Sequence, residues 1–308
     1  MLHATTPELT KTNAIVNVPA DFPTIQAAVS AAAAGDEIVV ANGIYNESVN
    51  VNTAAGDITI RAANPGMATV DGGSGPAFSV ANRTRDVTID GFLLQSSMNS
   101  SSSGVIRSVN LTGRLTVSNC TFSMAGQFFT DGIYCLSDAN GVPTQVSILD
   151  NTFGDWDNDQ LIYIEAGDGN TTNADVDILI DGNSNTGVME DTGVRIETIS
   201  SNSTSTIVVT NNNFSGWTAS GLGILVHIGD SNPVPTDQVA RVLIADNVIT
   251  NPDGNGIFFD VDGISTEVFA IIDNNTITGN SETSSGIFID DDSSGQSIEA
   301  TVFVTNNS

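Results

Sequence analysis

A column of ionisable side chains recurs at one position of a strand that the sequence repeats six times. Side chains on a strand alternate between its two faces. This position and the one two residues earlier therefore share the outer face, whereas the apolar residues next to them point to the core. Carboxylates on strands stacked about 4.8 Å apart perturb one another's pKa values, which is how acid and base pairs arise. In register, the later position carries Leu136, Glu165, Glu197, His227, Asp260 and Asp290, and the earlier one carries Tyr134, Tyr163, Arg195, Leu225, Phe258 and Phe288.

Carboxyl pairs at these separations are the machinery of glycoside hydrolysis. Neighbouring strands approach the ~5–5.5 Å separation of a retaining pair, and alternate strands approach the ~6.5–9.5 Å separation of an inverting pair. Glu165 with Glu197 is a pair of the first kind, and Glu197 with Asp260, on either side of His227, is a pair of the second kind. We expect Glu197 and Asp260 to be the catalytic pair, with Glu165 or His227 assisting. The substrate-binding residues predicted beside them are Tyr134, Tyr163, Arg195, Phe258, Phe288 and Asp290.

Two other interpretations of this face stay open. A solvated strand face also collects polar residues that have no role. Lyase chemistry, which removes a proton next to a uronate, needs a basic side chain, and the only one that this face offers is Arg195. Hydrolysis is therefore favoured over lyase or esterase chemistry.

Acidic loops make Ca²⁺ a possible ligand. Residues 155–159 have the alternating aspartates of a calcium loop, but the sixth position is Gln160 and the twelfth is Ala166, which excludes an EF-hand. Oxygen-rich loops of another shape at 260–263 and 290–292 also suit Ca²⁺, and hydrated acidic loops are the alternative. The predicted metal ligands are Asp155, Asp157, Asp159, Asp262 and Asp292.

The strands that carry these columns belong to a long internal repeat. A second motif, an apolar strand running into a corner of asparagine, aspartate or glycine, recurs with corners at 91, 120, 151, 182, 212, 247, 275 and 307. Spacings of 28 to 35 residues suit one coil of a solenoid, whereas a propeller blade needs four strands in ~40–45 residues. Asparagine and glycine tolerate left-handed backbone angles, and stacked asparagines can exchange amide hydrogen bonds between coils.

A short helix is predicted before the first coil, with Thr24 as its N-cap and Gly35 as its stop. The segments 24–29, 35–40 and 43–49 together resemble the opening of pectin-lyase-like right-handed parallel β-helix proteins, in which a helix caps the first coil. The resemblance implies the fold but no single activity, because that superfamily includes lyases, esterases, hydrolases, epimerases and non-catalytic surface proteins.

The composition limits the classes of molecule that this protein is expected to bind. The net charge is −28, with 36 acidic residues, one lysine and seven arginines, so nucleic acid and anionic lipid are poor partners. No apolar run approaches the ~18 residues of a membrane span, which predicts no membrane insertion. Cys120 and Cys135 are too few for a disulfide framework; they either form one bridge or are two buried thiols.

The sequence thus predicts an all-β, right-handed parallel β-helix of about 8–10 coils with an N-terminal capping α-helix. Residues 1–19 are a lead-in, 20–36 hold the helix and 37–308 form one β-helix domain. A strand and corner at 302–307 without a cap predict truncation, with chain continuation or self-association there. We expect a secreted or cell-surface protein that binds an extended polysaccharide or cell-surface glycan and, if it is an enzyme, hydrolyses it, with Ca²⁺ as the one possible cofactor. The alternative is a non-catalytic stalk or adhesin segment of a larger surface protein.

Overall fold

Successive turns of the chain stack into three parallel β-sheets. The computed structural model describes residues 13–54, 56–100, 103–124, 130–156, 159–168, 170–218, 221–229, 235–279, 284–291 and 298–308. One sheet has 11 strands and the other two have 9 each, so residues 37–290 form nine three-stranded coils. The parallel β-helix and the predicted number of coils are confirmed. Within the described residues, no helix has the length and apolar character needed to cross a membrane.

The strands fall into the sheets in a fixed order within each coil. Sheet 1 contains Ile15–Val18, Glu37–Val40, Ile58–Ala62, Val87–Asp90, Arg114–Ser118, Thr144–Leu149, Val176–Asp181, Thr204–Thr210, Val239–Ala245, Thr266–Asp273 and Ile298–Thr305. Sheet 3 contains Gly43–Asn46, Ala68–Asp71, Leu93–Ser96, Thr121–Met124, Thr152–Phe153, Ser184–Asn185, Asn213–Ser215, Val248–Thr250 and Thr276–Thr278. Sheet 2 closes each coil and contains Val49–Asn50, Phe78–Ala81, Gly104–Val109, Asp131–Ser137, Ile162–Ala166, Val194–Thr198, Ile224–Ile228, Ile257–Val261 and Ile287–Asp290. A short 3-10 turn spans Val51–Thr53.

The one α-helix of the described residues, Ile25–Ala31, packs on the first strands. Thr24 is its N-cap as predicted, because the Thr24 side chain accepts a hydrogen bond from an N–H group of the first turn. The carboxylate of Glu47 accepts two more first-turn N–H groups, each at 2.9 Å, where a negative charge also suits the helix dipole. The helix stops before the predicted Gly35, because the residue after Ala31 is already extended (φ −61°, ψ 138°).

Buried asparagines form a ladder at the corner between sheets 1 and 3. From Asn183 onward, each side-chain Oδ1 accepts hydrogen bonds from both the main-chain N–H and the Nδ2 of the asparagine in the preceding coil, at 2.8–3.0 Å, and Asn151 Oδ1 accepts from Cys120 N at 2.9 Å. The ladder therefore supplies hydrogen-bond partners to main-chain groups that lie outside the strand pairing. Its members are Asn151, Asn183, Asn212, Asn247, Asn275 and Asn307.

The sequence analysis assigned both the left-handed backbone angle and the hydrogen bonds between coils to one corner residue, but two consecutive residues have these two properties. The left-handed backbone angle lies one position before the ladder, as at Asn211 (φ 56°) and Asn274 (φ 53°). In one coil the predicted corner, Gly182, is the left-handed residue (φ 71°), and the ladder residue is Asn183. The chain turns at the first residue and bonds to the next coil at the second, so each coil needs a pair of suitable residues.

The core lies between the three sheets and holds the inward residues of every coil. Cys120 and Cys135 belong to it as unbridged, buried thiols, so the buried-thiol alternative is the correct one. At the last coil, large apolar side chains are exposed, among them Phe288, Phe303 and Val304.

Candidate functional site

Sheet 2 aligns the two predicted columns of side chains. We call Leu136, Glu165, Glu197, His227, Asp260 and Asp290 the acidic column, and Tyr134, Tyr163, Arg195, Leu225, Phe258 and Phe288 the aromatic column. Every neighbouring pair within each column is also a pair of partners in the parallel ladder. The register predicted from the repeat is therefore the register of the sheet.

Glycines before these strands let the chain pass from sheet 3 to sheet 2 against the core. A Cβ on Gly223 would lie 2.3 Å from Gly256 O and 2.7 Å from a methyl carbon of Ile249. A Cβ on Gly132 would lie 2.7 Å from the ring of Phe153. A side chain at these positions would push the strand outward, so the recurring glycine fixes the depth at which the columns lie.

The middle of both columns is covered although its side chains point away from the core. Tyr134 and Glu197 each keep only 4% of their accessible surface, and Leu225 and His227 keep 9%. Towards the end of the solenoid the cover is lost, since Phe288 is 38% exposed. The ionisable groups in the middle are therefore held in a partly dehydrated environment, where charges interact more strongly than in water.

One tyrosine hydroxyl lies between the carboxylates of Glu165 and Glu197. Tyr163 Oη is 2.7 Å from Glu197 Oε2 and 3.3 Å from Glu165 Oε2. The other oxygen of Glu197 accepts hydrogen bonds from Arg195 Nε at 2.9 Å and Nη2 at 2.5 Å. The guanidinium also lies over the Tyr163 ring, 5.1 Å from its centroid, and Tyr134 meets that ring edge-on at 5.5 Å. These contacts fix the positions of both carboxylates.

The two carboxyl groups of this cluster have different surroundings. Burial raises the pKa of Glu165, and the charge of Glu197 raises it further. Glu197 itself forms an ion pair with Arg195. Burial and the charge of Glu197 raise the pKa of Tyr163, so its hydroxyl stays a neutral donor. The pair thus contains one carboxyl group with a raised pKa and one that is bound to a guanidinium.

Further along the acidic column, a histidine faces two aspartates. His227 Nε2 lies 3.2 Å from Asp260 Oδ2 and 3.0 Å from Asp262 Oδ2. Burial raises the pKa of Asp260, the charges of Asp262 and Asp290 raise it further, and His227 opposes them. The sequence analysis gave His227 and Asp260 a catalytic role and Asp262 a metal-binding role, and the structure brings all three together. The sequence contained a signal for this, because residue 262 follows residue 260 by two positions, one residue past the end of the strand Ile257–Val261.

A buried pair of carboxyl groups, Asp131 and Asp159, was not predicted as a pair. Each has an Oδ1 that accepts a hydrogen bond from Gln160 N at 3.2 Å, and each has a buried Oδ2 without a partner among the described residues. Burial raises the pKa of Asp131 well above its usual range and that of Asp159 to about 6. A proton shared between the two Oδ2 atoms would satisfy both. Asp131 has the parity of the inward residues Ile133 and Cys135, which was the available signal.

The other predicted site residues occupy separate places. Phe258 and Phe288 pack on each other with their ring centroids 5.2 Å apart. Asp290 continues the acidic column and is half-buried. Asp155 accepts a hydrogen bond from Val188 N at 3.0 Å, whereas Asp159 faces Asp131. The predicted ligands Asp157 and Asp292 lie outside the described residues.

Known structures share this fold. The PL6 family alginate lyase AlyGC superposes with a TM-score of 0.55 at 14% identity, over 96% of this chain and 40% of AlyGC. A GH136 lacto-N-biosidase from Eubacterium ramulus gives 0.37 at 10% identity, over 96% of this chain and 67% of the enzyme. PfbA, a surface adhesin of Streptococcus pneumoniae, gives 0.35 at 12% identity, over 92% of this chain and 87% of the adhesin. No family model and no curated protein matches the sequence.

The likeness to AlyGC supports the fold and stops there. The parallel β-helix fold predicted from the N-terminal segments is confirmed. The chain spans about two fifths of the length of AlyGC. What this chain does must therefore be argued from its own side chains.

Proposed function

We propose that this chain binds an extended polysaccharide along the outer face of sheet 2, outside the cell, and hydrolyses it between Glu165 and Glu197. The observation that carries the proposal is the Tyr163 hydroxyl, held 2.7 and 3.3 Å from carboxylate oxygens on two neighbouring strands. Because Glu165 Oε2 and Glu197 Oε2 both lie within hydrogen-bonding distance of one hydroxyl, they lie nearer to each other than the ~6.5–9.5 Å of an inverting pair. The geometry therefore favours the retaining arrangement.

The surroundings of the two carboxyl groups suit the two roles of a retaining reaction. Glu165, with its raised pKa, donates a proton to the glycosidic oxygen as the bond to the anomeric carbon breaks. The carboxylate of Glu197, positioned by Arg195, attacks the anomeric carbon and forms a covalent glycosyl ester. Glu165 then removes a proton from water, whose oxygen attacks the same carbon, and Glu197 leaves as a carboxylate. Glu165 replaces the predicted Asp260 as the partner of Glu197, because Asp260 faces His227 instead.

The substrate class follows from the charge and the ring surfaces of the face. Tyr163, Phe258 and Phe288 lie in one column, and we propose that they stack on sugar rings. Tyr134, which keeps 4% of its surface, supports the Tyr163 ring instead. A chain with a net charge of −28 repels polyanions, so the substrate is a neutral polysaccharide or one bridged by Ca²⁺. AlyGC is described as an alginate lyase, but lyase chemistry here would need a free base, and Arg195 is bound to Glu197.

One observation favours a second function, that of a non-catalytic stalk or adhesin segment. Glu197 keeps only 4% of its surface, and a buried ion pair with Arg195 is also a common structural device. In that case the same face binds a glycan, or stiffens the solenoid, without turnover.

The test is release of new reducing ends from a panel of neutral and uronate polysaccharides, with and without Ca²⁺. We expect Glu197→Gln to lower turnover about 10²–10⁴-fold or more, as does Glu165→Gln on natural substrates. On an aryl glycoside whose leaving group needs no proton, Glu165→Gln should retain formation of the glycosyl ester, whereas Glu197→Gln should not.

The matched control is Glu267→Gln, which removes an exposed carboxylate from sheet 1 and should leave turnover unchanged. Wild-type activity that survives Glu197→Gln would show that the site is elsewhere. No turnover by folded wild-type protein on the whole panel would reject hydrolysis, and binding of the same panel would then decide for the stalk or adhesin.

A further inference from the structure

Three donor atoms converge on one point of the acidic column. His227 Nε2, Asp260 Oδ2 and Asp262 Oδ2 lie within 4.8 Å of one another, and the nitrogen is 3.2 and 3.0 Å from the two oxygens. An imidazole nitrogen carries at most one hydrogen, so it cannot make two full hydrogen bonds to two carboxylates. A nitrogen and two carboxylate oxygens directed at one point are instead the arrangement of a metal-ligand set.

The backbone positions this cluster. His227 and Asp260 are partners on neighbouring strands, and Asp262 lies two residues after Asp260, on the same side. Asp262 N donates to Ile228 O at 2.7 Å, which keeps the chain in register beyond the end of the strand. Gly229 has φ 103°, and a Cβ there would lie 2.6 Å from Asp262 O. The absence of a side chain at Gly229 is what lets Asp262 approach His227.

An independent observation points to a missing ligand. Asp260 Oδ1 is buried and has no hydrogen-bond partner among the described residues. The side chains of His227 and Asp260 are only 11% and 14% exposed. A buried carboxylate oxygen without a donor is destabilising, and the positive charge of a cation bound at the neighbouring Oδ2 would offset part of that cost.

We propose that His227, Asp260 and Asp262 bind a divalent transition-metal ion, with Zn²⁺ preferred over the Ca²⁺ expected at Asp262 from the sequence. An imidazole ligand suits Zn²⁺ and its neighbours in the first transition series, whereas Ca²⁺ takes six to eight oxygen ligands. Three protein ligands leave a fourth position of a tetrahedral site open to water or a substrate hydroxyl. The site does not depend on hydrolysis at Glu165 and Glu197.

The test is calorimetric titration of ZnCl₂ into untagged, chelator-treated full-length protein. We expect one Zn²⁺ per chain, bound at least about tenfold more tightly than Ca²⁺ from CaCl₂. His227→Ala and Asp262→Asn should each weaken Zn²⁺ binding at least about 10–100-fold. Saturating Zn²⁺ should raise the Tm of the wild type and leave the Tm of those variants unchanged.

Two controls separate coordination from general attraction. His3→Ala removes the only other histidine of the sequence, and Asp290→Asn removes a neighbouring negative charge of the same column without removing a donor. Both should weaken Zn²⁺ binding much less than Asp262→Asn does, because neither removes a donor atom. Any of the following would overturn the proposal: no saturable site, unchanged affinity in His227→Ala and Asp262→Asn, equal affinity for Ca²⁺, or an Asp290→Asn effect as large as that of Asp262→Asn. Asp262→Asn keeps the size of a half-buried side chain, and its circular dichroism spectrum should match the wild type.

Discussion

The amide of Asn212 joins three coils of the solenoid, and its removal should destabilise the protein strongly. Its Oδ1 accepts hydrogen bonds from Asn183 N at 2.9 Å and Asn183 Nδ2 at 3.0 Å. Its Nδ2 donates to Ile180 O at 3.1 Å and to Asn247 Oδ1 at 3.0 Å. Asn212→Ala removes all four of these bonds at a position that keeps 1% of its surface.

The magnitude follows from the groups left behind. The main-chain N–H of Asn183 would face the interior without its acceptor, whereas the Asn183 amide would keep Ile148 O and Asp181 O as acceptors. The orphaned buried donor costs about 1–3 kcal/mol and each of the other three lost hydrogen bonds about 0.5–1.5 kcal/mol, so the free energy of unfolding should fall by about 3–7 kcal/mol. That is a large share of the stability of an ordinary domain.

The neighbouring residue provides a matched control. Asn211 is exposed, has φ 56°, and donates from Nδ2 to Asp181 Oδ1 at 2.7 Å. Asn211→Gly keeps the left-handed angle at little cost and loses one exposed hydrogen bond, so we expect a change below about 1 kcal/mol. The two variants differ by one position in the chain and by the role of the amide they remove.

The assay is urea unfolding followed by circular dichroism, together with amide hydrogen exchange at Asn183. Asn212→Ala should lower the urea midpoint and speed exchange of the Asn183 N–H, since that N–H bonds to the Asn212 side chain. Equal midpoints for Asn212→Ala and Asn211→Gly, with unchanged exchange at Asn183, would refute the view that the ladder stabilises the corner.

Three further predictions concern buried groups. The pKa of Asp159 is about 6 in the folded protein, against 3.8 in the unfolded chain. Its contribution to stability is therefore complete below about pH 4 and is lost as the pH rises through 6. The free energy of unfolding of Asp159→Asn, measured across about pH 4–7, should depend less on pH than that of the wild type. Arg195→Met should lower the free energy of unfolding, measured in urea, by about 1–3 kcal/mol. The loss should be smaller than for a fully buried ion pair, because Arg195 is partly exposed. Adding Glu197→Met to this variant should recover part of the lost free energy. Burial raises the pKa of the Cys120 and Cys135 thiols to about 12, so a thiol reagent at pH 8 should label neither until urea unfolds the protein.

The sequence was sufficient to predict which side chains form each column on sheet 2, because the alternation along a strand and the period of the repeat together determine it. Alternation along a strand decides which side chains share a face, and the repeat decides which strands lie side by side. A shift of one residue would have turned apolar side chains such as Ile164 and Ile196 outward, so the register was strongly specified. The start of the helix was also predictable, from the Thr24 cap, although its end was not.

The states of the site residues needed the tertiary structure. Glu165 and Glu197 are equivalent in the sequence pattern, yet only Glu197 forms an ion pair with Arg195, and burial together with the charge of Glu197 raises the pKa of Glu165. The pairing depends on side-chain rotamers and on how deeply each residue is covered. Neither is encoded by the period of the repeat.

The sequence by itself determined the coil, the register and the composition of the face, because these follow from local alternation repeated at each turn. Only the tertiary structure decided which members of the face are dehydrated and which groups meet across coils. Asp262 reaches His227, and Asp159 reaches Asp131, through connections whose lengths differ from coil to coil. Contacts of that kind depend on where an irregular connection places its side chains, and a repeat pattern holds no information about that.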